Sequence, residues 1–301
     1  MEVIQTMKPE EYEELRELYD KKLVKVNQRE ISYLLKYINE PRRLESNRTR
    51  RVFYASDATR CGRALGWAVT GVPKSNPEYS VQTLNIFALG DAVHEIMEDR
   101  YKNIPGWKFY AEHPGEINIS QEGKPDFLLN YRVDGVLLRE DWAKKDLFGL
   151  KTDKFICEFK TIADFPYKTG RNRQKEVYWY GAEDVPKPDH FAQLQIGMAG
   201  EGAEYGILHY HNKNNGNESL HVLEFDKEYV DRLVDRLWNI QIKANEGEIM
   251  ERPYRAYPNR NRTQLMKTKT IAGEVFKTDW MCSYCDWRDK CWGLNDFRED
   301  E

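Results

Sequence analysis

Nowhere among its 301 residues does the chain carry an apolar run approaching the roughly 18 that a membrane-spanning helix needs. Its first residues, Met1 to Gln5, lack the basic stretch followed by apolar residues that marks a secretory leader. These absences predict a soluble, cytoplasmic protein with no membrane partner. Five cysteines are too few for a disulfide scaffold at this length, so their spacing matters more than their number. An excess of positive charge is also missing: 46 Lys and Arg stand against 50 Asp and Glu, a net charge of −4. No global basic footprint announces nucleic acid. Repeats and low-complexity segments are absent, and with 40% hydrophobic and 32% charged residues the chain is wetter than average but can build a core.

What charge there is lies segregated. Between Pro41 and Arg51, five arginines (Arg42, Arg43, Arg48, Arg50, Arg51) face the single acid Glu45, and Arg252 to Gly273 holds six basic residues and no acid. The acids gather elsewhere, as in Glu10, Glu11, Glu13, Glu14 and Glu17. Such a chain can offer a positive groove to a polyanion while staying soluble.

Hydrophobic spacing predicts helices over about 9–40, a short one capped by Ser56-Asp57 and carrying Cys61, and Leu84 to Lys102 with Ile86, Leu89, Val93, Ile96 and Met97 as its stripe. Strands are expected at about 115–119, 131–138 and 154–162. A helix capped by Asp189 then runs to about Met198, followed by a hairpin at about 204–212 and 219–225 and a helix from Lys227 to Glu246. This order predicts an α/β (mixed α+β) fold, a central mixed sheet flanked by helices. The division expected is an N-terminal helical region over 1–52, a core over 53–250, and a basic tail with a cysteine cluster over 251–301.

Two strand segments put charge among apolar residues: Tyr131-Arg132-Val133-Asp134-Gly135-Val136 and Phe155-Ile156-Cys157-Glu158-Phe159-Lys160-Thr161. Side chains alternate across a strand, so Glu158 and Lys160 share one face while Cys157 and Phe159 share the other. If Asp134 points the same way, two carboxylates and an ammonium converge. Carboxylates buried together are costly unless compensated, and oxygen ligands suit magnesium or manganese. The competing reading is a solvated salt bridge. In Gly90-Asp91-Ala92-Val93-His94 the glycine lies one turn before the histidine and would clear space for it. Gln193, on the helix after the Glu-x-Lys strand, can position a water or a phosphate. Lys213 is a candidate phosphate contact at the end of the next strand.

Cys282, Cys285 and Cys291 form a C-x2-C-x5-C cluster. A fourth ligand must come from upstream, since no histidine lies beyond His221. Cys61 or Cys157 can supply it; Cys157 alternates toward the packed side of its strand and reads as a core thiol, and Cys61, after a helix-cap signal, is the better candidate. Zinc and a four-iron cluster both accept four thiolates, and Trp280, Tyr284, Trp287 and Trp292 would wall either one.

Taken together, these residues resemble the RecB-like branch of the PD-(D/E)XK nucleases, in particular the iron–sulfur-containing CRISPR-associated Cas-four type exonucleases and their phage relatives. The resemblance spans about residues 53–292. It rests on Gly90 to His94, Asp134, Glu158-Phe159-Lys160, Gln193, and one upstream cysteine with three near the C-terminus. It implies a restriction-endonuclease-like core and a Mg2+- or Mn2+-dependent DNA exonuclease acting on single strands or ends. His94, Asp134 and Glu158 would hold the metal, and Lys160 would orient or stabilise the attacking water. Cys61, Cys282, Cys285 and Cys291 would hold a 4Fe-4S cluster. The family's glutamine motif continues to a tyrosine four residues on, where this chain has Gly197. Asp126, in Gly123-Lys124-Pro125-Asp126, rivals Asp134, which is preferred for its strand-like setting. DNA contacts are then expected from Arg171, Arg173, Lys213, Arg260 and Arg262, with Trp179 in Tyr178-Trp179-Tyr180 stacking on bases. Partners in this reading are DNA, a second copy of the chain, or a protein of CRISPR adaptation or phage recombination. Alternatives are a cluster-bearing binding module without hydrolysis and a zinc-stabilised interaction protein.

Overall fold

The computed structural model describes residues 42–43, 52–74, 78–140, 142, 146–162, 186–271 and 274–294. The helix expected over 9–40, most of the arginine-rich segment after Pro41, and the loop carrying Arg171, Arg173 and Trp179 lie outside them. Among the described residues no helix is long and apolar enough to cross a membrane.

The main sheet is assembled from β1 (Phe53–Tyr54), β2 (Trp107–Ile119), β3 (Phe127–Arg139), β4 (Lys154–Ile162), β5 (Tyr205–Asn212) and β6 (Glu218–Glu224). The main helices are α1 (Gly62–Val69), α2 (Val81–Tyr101), α3 (Pro188–Glu201) and α4 (Lys227–Asn245). Strands run in the order β1-β3-β4-β5-β6, and β2 pairs with β3. The pairings β1 to β3 and β4 to β5 are parallel, and the other three are antiparallel. The result is a central mixed sheet flanked by helices, the arrangement expected of a restriction-endonuclease-like core.

The alternation along β4 sorts the two faces. Phe155, Cys157 and Phe159 pack with Val93, Met97 and Tyr101 of α2. Ile156 packs with Leu194, Ile196 and Met198 of α3, and Leu233, Leu237 and Ile240 of α4 complete that layer. Gly197 sets how closely α3 approaches, because a Cβ there would lie 2.5 Å from Val133 Cγ1.

One edge of β3 is shared between two partners. Leu129 and Asn130 pair with β1, while Gly135 to Leu138 pair with β4. Residues 131–134 fall between the two ladders on that edge, and β4 continues past Cys157 paired only with β5. The gap so formed is where Asp134 sits.

Several sequence expectations change. The stripe assigned to α2 is too wide: Val93 and Met97 are buried, but Ile86, Leu89 and Ile96 are 47%, 48% and 51% exposed. Val93, Met97 and Tyr101, four residues apart, are the ones that meet the sheet. Ser56 and Asp57 form a 3-10 turn with Ala55 instead of capping the helix. A further turn intervenes, and Cys61 stands at the N-cap of α1, immediately before the helix. The N-cap of α3 is Lys187 and not Asp189, with Pro188 in the first turn, where its missing N–H is harmless. That helix ends at Gly202, in the left-handed conformation, because Gly200 is used within it against the Tyr131 ring.

Candidate active site

Glu158 lies at the centre of the sheet and is 0% exposed. One carboxylate oxygen takes a short contact from Lys160 Nζ, while Oε2, equally buried, has no hydrogen-bond partner. Burial, reinforced by the charge of Asp134 and opposed by Lys160, pushes the Glu158 carboxyl up to about 8. Burial alone would lower the Lys160 ammonium, but the charges of Glu158 and Asp134 outweigh it and hold the value above that of an ordinary lysine. The second donation from Lys160 Nζ goes to Gln193 Oε1 at 3.2 Å. Gln193 thereby joins the charged strand to α3.

Asp134 reaches across the gap in the ladders. Its Oδ2 accepts from the Phe159 backbone N–H at 2.6 Å, replacing a bond that regular pairing would have supplied. Its Oδ1 lies 3.7 Å from His94 Nδ1. His94 comes from α2, on the opposite face of the sheet from α3, and its ring meets Phe159 edge-on at 6.1 Å. Asp126, by contrast, is exposed ahead of β3. Gly90 does not clear room for His94: a Cβ there would meet only Thr161 Oγ1, at an ordinary 3.6 Å. Nor could Gly197 be exchanged for the tyrosine of the resembled motif, given the close approach of Val133.

His190 was not singled out in the sequence. It lies one turn before Gln193 on α3, near enough to Lys160 for the ammonium to act on it. Burial first, then the charges of Lys160 and Lys187, lower its pKa to about 2, so the ring stays neutral. Tyr210 Oη accepts from the Lys187 N–H at 3.1 Å and lies 2.9 Å from His190 Nδ1. The available signal was the i, i+3 spacing to Gln193 on one helix face.

Lys213 is not a free hairpin-tip lysine. Its Nζ lies 3.4 Å from the Ile86 carbonyl of α2, its backbone N–H donates to Ile162 O, and burial lowers its pKa. Arg260 and Arg262 lie between two short paired strands, Tyr257–Pro258 and Leu265–Met266. Arg260 is exposed, and Arg262 donates to the Trp292 carbonyl at 3.2 Å.

The cysteines meet elsewhere. Cys61, Cys282, Cys285 and Cys291 all line one cavity of about 200 Å³, together with Tyr284, Trp287 and Trp292. Arg236 of α4 donates to the carbonyls of Ala58 and Arg60, fixing the turn ahead of Cys61. The C-terminal segment docks through Trp287 Nε1 to Val72 O at 3.1 Å and a Lys74–Asp286 ion pair at 2.9 Å. Burial, with added repulsion from Cys291 and Cys61, raises the Cys282 thiol to about 11 and Cys285 to about 12. Thiols in such surroundings keep their protons unless a cation replaces them. Cys157 is a core residue, fully buried among the aromatics under α2. Among the described residues no three His, Cys, Asp or Glu side chains are arranged closely enough to hold an ion as they stand. The donor types nevertheless fit: Asp134 acts on the buried Glu158 and reaches His94 with its other oxygen, a hard oxygen and imidazole set, and four sulfurs line the cavity, a soft one.

No family model matches the chain, and no curated protein resembles it. Among solved structures, SSO0001 is 18% identical, with 80% of this chain and 86% of that one covered and a TM-score of 0.42. The alkaline exonuclease LHK-Exo of Laribacter hongkongensis is 15% identical over 65% of this chain and 89% of its own, with a TM-score of 0.38. Its complex with dAMP gives 16% identity, the same coverage and the same score. At these scores the functional reading of the chain rests on its own geometry.

Proposed function

We propose that the chain is a divalent-metal-dependent DNA nuclease of the exonuclease type, acting on single strands or DNA ends. The observation that carries this reading is the wholly buried Glu158, whose Oε2 has no partner although Asp134 and Lys160 lie beside it. A buried carboxylate oxygen left without a donor is costly, and a bound cation removes that cost. Asp134, Glu158 and His94 would hold Mg2+ or Mn2+. When bound, the ion lowers the pKa of water and neutralises charge growing on a phosphate.

The chain's own residues do the rest. Lys160 keeps a fixed positive charge where the phosphate becomes more negative, and Gln193 holds that ammonium in place. The Phe159 N–H anchors one Asp134 oxygen, which leaves the other facing His94. A module that only bound DNA would gain nothing from two carboxylates turned toward a polyanion.

Cys61, Cys282, Cys285 and Cys291 would hold a 4Fe-4S cluster, a reading supported by four thiols on one aromatic-walled cavity. Protein purified without air would be brown, whereas a zinc protein would be colourless.

The test is digestion of end-labelled single- and double-stranded DNA with Mn2+, Mg2+ or chelator, wild type beside Asp134→Ala. Metal-dependent shortening from an end that the variant lacks is expected. A folded wild type that cleaves neither substrate under any of these conditions would overturn the proposal.

A further inference from the structure

Three aromatic rings connect the two candidate sites along the surface. Phe87 lies seven residues before His94, so the two share a stripe of α2 about 10 Å apart along its axis. Phe87 is 42% exposed. The Tyr79 ring meets it edge-on at 5.7 Å, and Tyr284 stacks on Tyr79 at 6.3 Å with an interplanar angle of 15°. Tyr284 is 45% exposed and stands on the wall of the cysteine cavity. Five Lys or Arg side chains line that cavity against three aspartates, with Arg60 and Arg252 among the cations.

We propose that Phe87, Tyr79 and Tyr284 form a stacking strip for the unpaired bases of single-stranded DNA, leading from the cysteine cavity to the carboxylate site. The reading deepens the proposed nuclease function and rests on it for the direction of the strand. Exposed aromatic rings, here Phe87 and Tyr284 joined by the half-buried Tyr79, beside cations are the two elements that single-strand binding sites combine. Phe87, at one end of the strip, lies on the helix that delivers His94, so a strand resting on it is brought toward the carboxylates. An apolar protein partner would be served equally by the neighbouring Ile86 and Leu89, whereas a strand of bases needs the flat faces of Phe87 and Tyr284.

The experiment measures binding of labelled oligo-dT by fluorescence anisotropy, in chelator and in an Asp134→Ala background, so that no cleavage intervenes. Phe87→Ala and Tyr284→Ala should each weaken binding by about tenfold, at the lower end of what loss of one stacked base costs. Phe87→Leu, which keeps the apolar area and removes the flat face, should lose as much as Phe87→Ala, and Phe87→Trp should bind as the parent does. Binding within twofold of the parent in both alanine variants would overturn the strip. So would full binding by Phe87→Leu, or a Phe87→Ala effect confined to self-association. Absence of cleavage in the wild type, with strand binding lost in the alanine variants, would remove the nuclease reading and leave the strip standing.

Discussion

The carboxylate site and the cysteine cavity meet the same physical difficulty, ionisable groups withdrawn from water, in opposite ways. At the carboxylates the chain supplies a counter-charge of its own: Lys160 and Glu158 are neighbours on one strand, and Gln193 holds the lysine. Compensation there is partial, since Glu158 Oε2 remains without a partner. At the cavity the Lys and Arg side chains on the wall leave the burial of Cys282 and Cys285 uncompensated, and these two thiols are raised until they stay protonated. The cavity is instead secured by contacts around it, from Trp287 to Val72 and from Lys74 to Asp286, between segments more than 200 residues apart in sequence. An ion held at the first site would therefore supply chemistry and not the fold, whereas one held at the second would secure a long-range closure.

Four perturbations sharpen or break this contrast. The largest effect belongs to Lys160→Ala and Asp134→Ala, which should reduce cleavage by on the order of 10²–10³. DNA binding should survive in both, and full activity in either would remove that residue from the site. Next comes Cys282→Ala, expected to lose iron and to destabilise the protein by on the order of 3–5 kcal/mol. Iron content and thermal melting check it together, and unchanged iron would take Cys282 out of the ligand set.

The third perturbation is pH. The folded-state pKa of Glu158, about 8, lies above the ordinary 4.5, so its proton stabilises the fold fully below about pH 4.5, and this contribution is lost as pH rises through about 8. In chelator, Glu158→Gln should flatten that fall and melt about 4 °C or more above wild type on the alkaline side. A parallel decline in both proteins would mean that Glu158 is not the group responsible. The smallest effect is expected from Gly197→Ala, where a methyl group pressed on Val133 should cost about 1–3 kcal/mol in chemical denaturation without changing iron content. A neutral result would mean that α3 can shift away from the sheet.

Legibility in the sequence divides along the same line. The alternation of Phe155, Cys157 and Phe159 against Glu158 and Lys160 is local, and the two sheet faces follow it. The order of strands and helices was likewise readable from period and turn residues. What escaped depended on distant parts of the chain. The gap that frees Asp134 exists because β1 and β4 share one edge of β3, a feature of topology and not of spacing. The α2 stripe was drawn too wide because helical period reports which residues align, but not how far the sheet beneath them extends. Gly90 gave a false signal, since its surroundings would accept a side chain, while Gly197 carried a real one that only the Val133 contact reveals. His190 escapes the sequence because a single histidine in a helix carries no mark of the strand lysine it approaches on the same face of the sheet.

The central claim, that the unpaired Glu158 oxygen is part of a divalent-cation site, is tested most directly by calorimetric titration of Mn2+ into wild type, Glu158→Gln and Asp134→Ala. The account predicts saturable binding in the wild type, weakened at least about tenfold in both variants, a loss of about 1.4 kcal/mol or more. Equal Mn2+ affinity in all three proteins would contradict it.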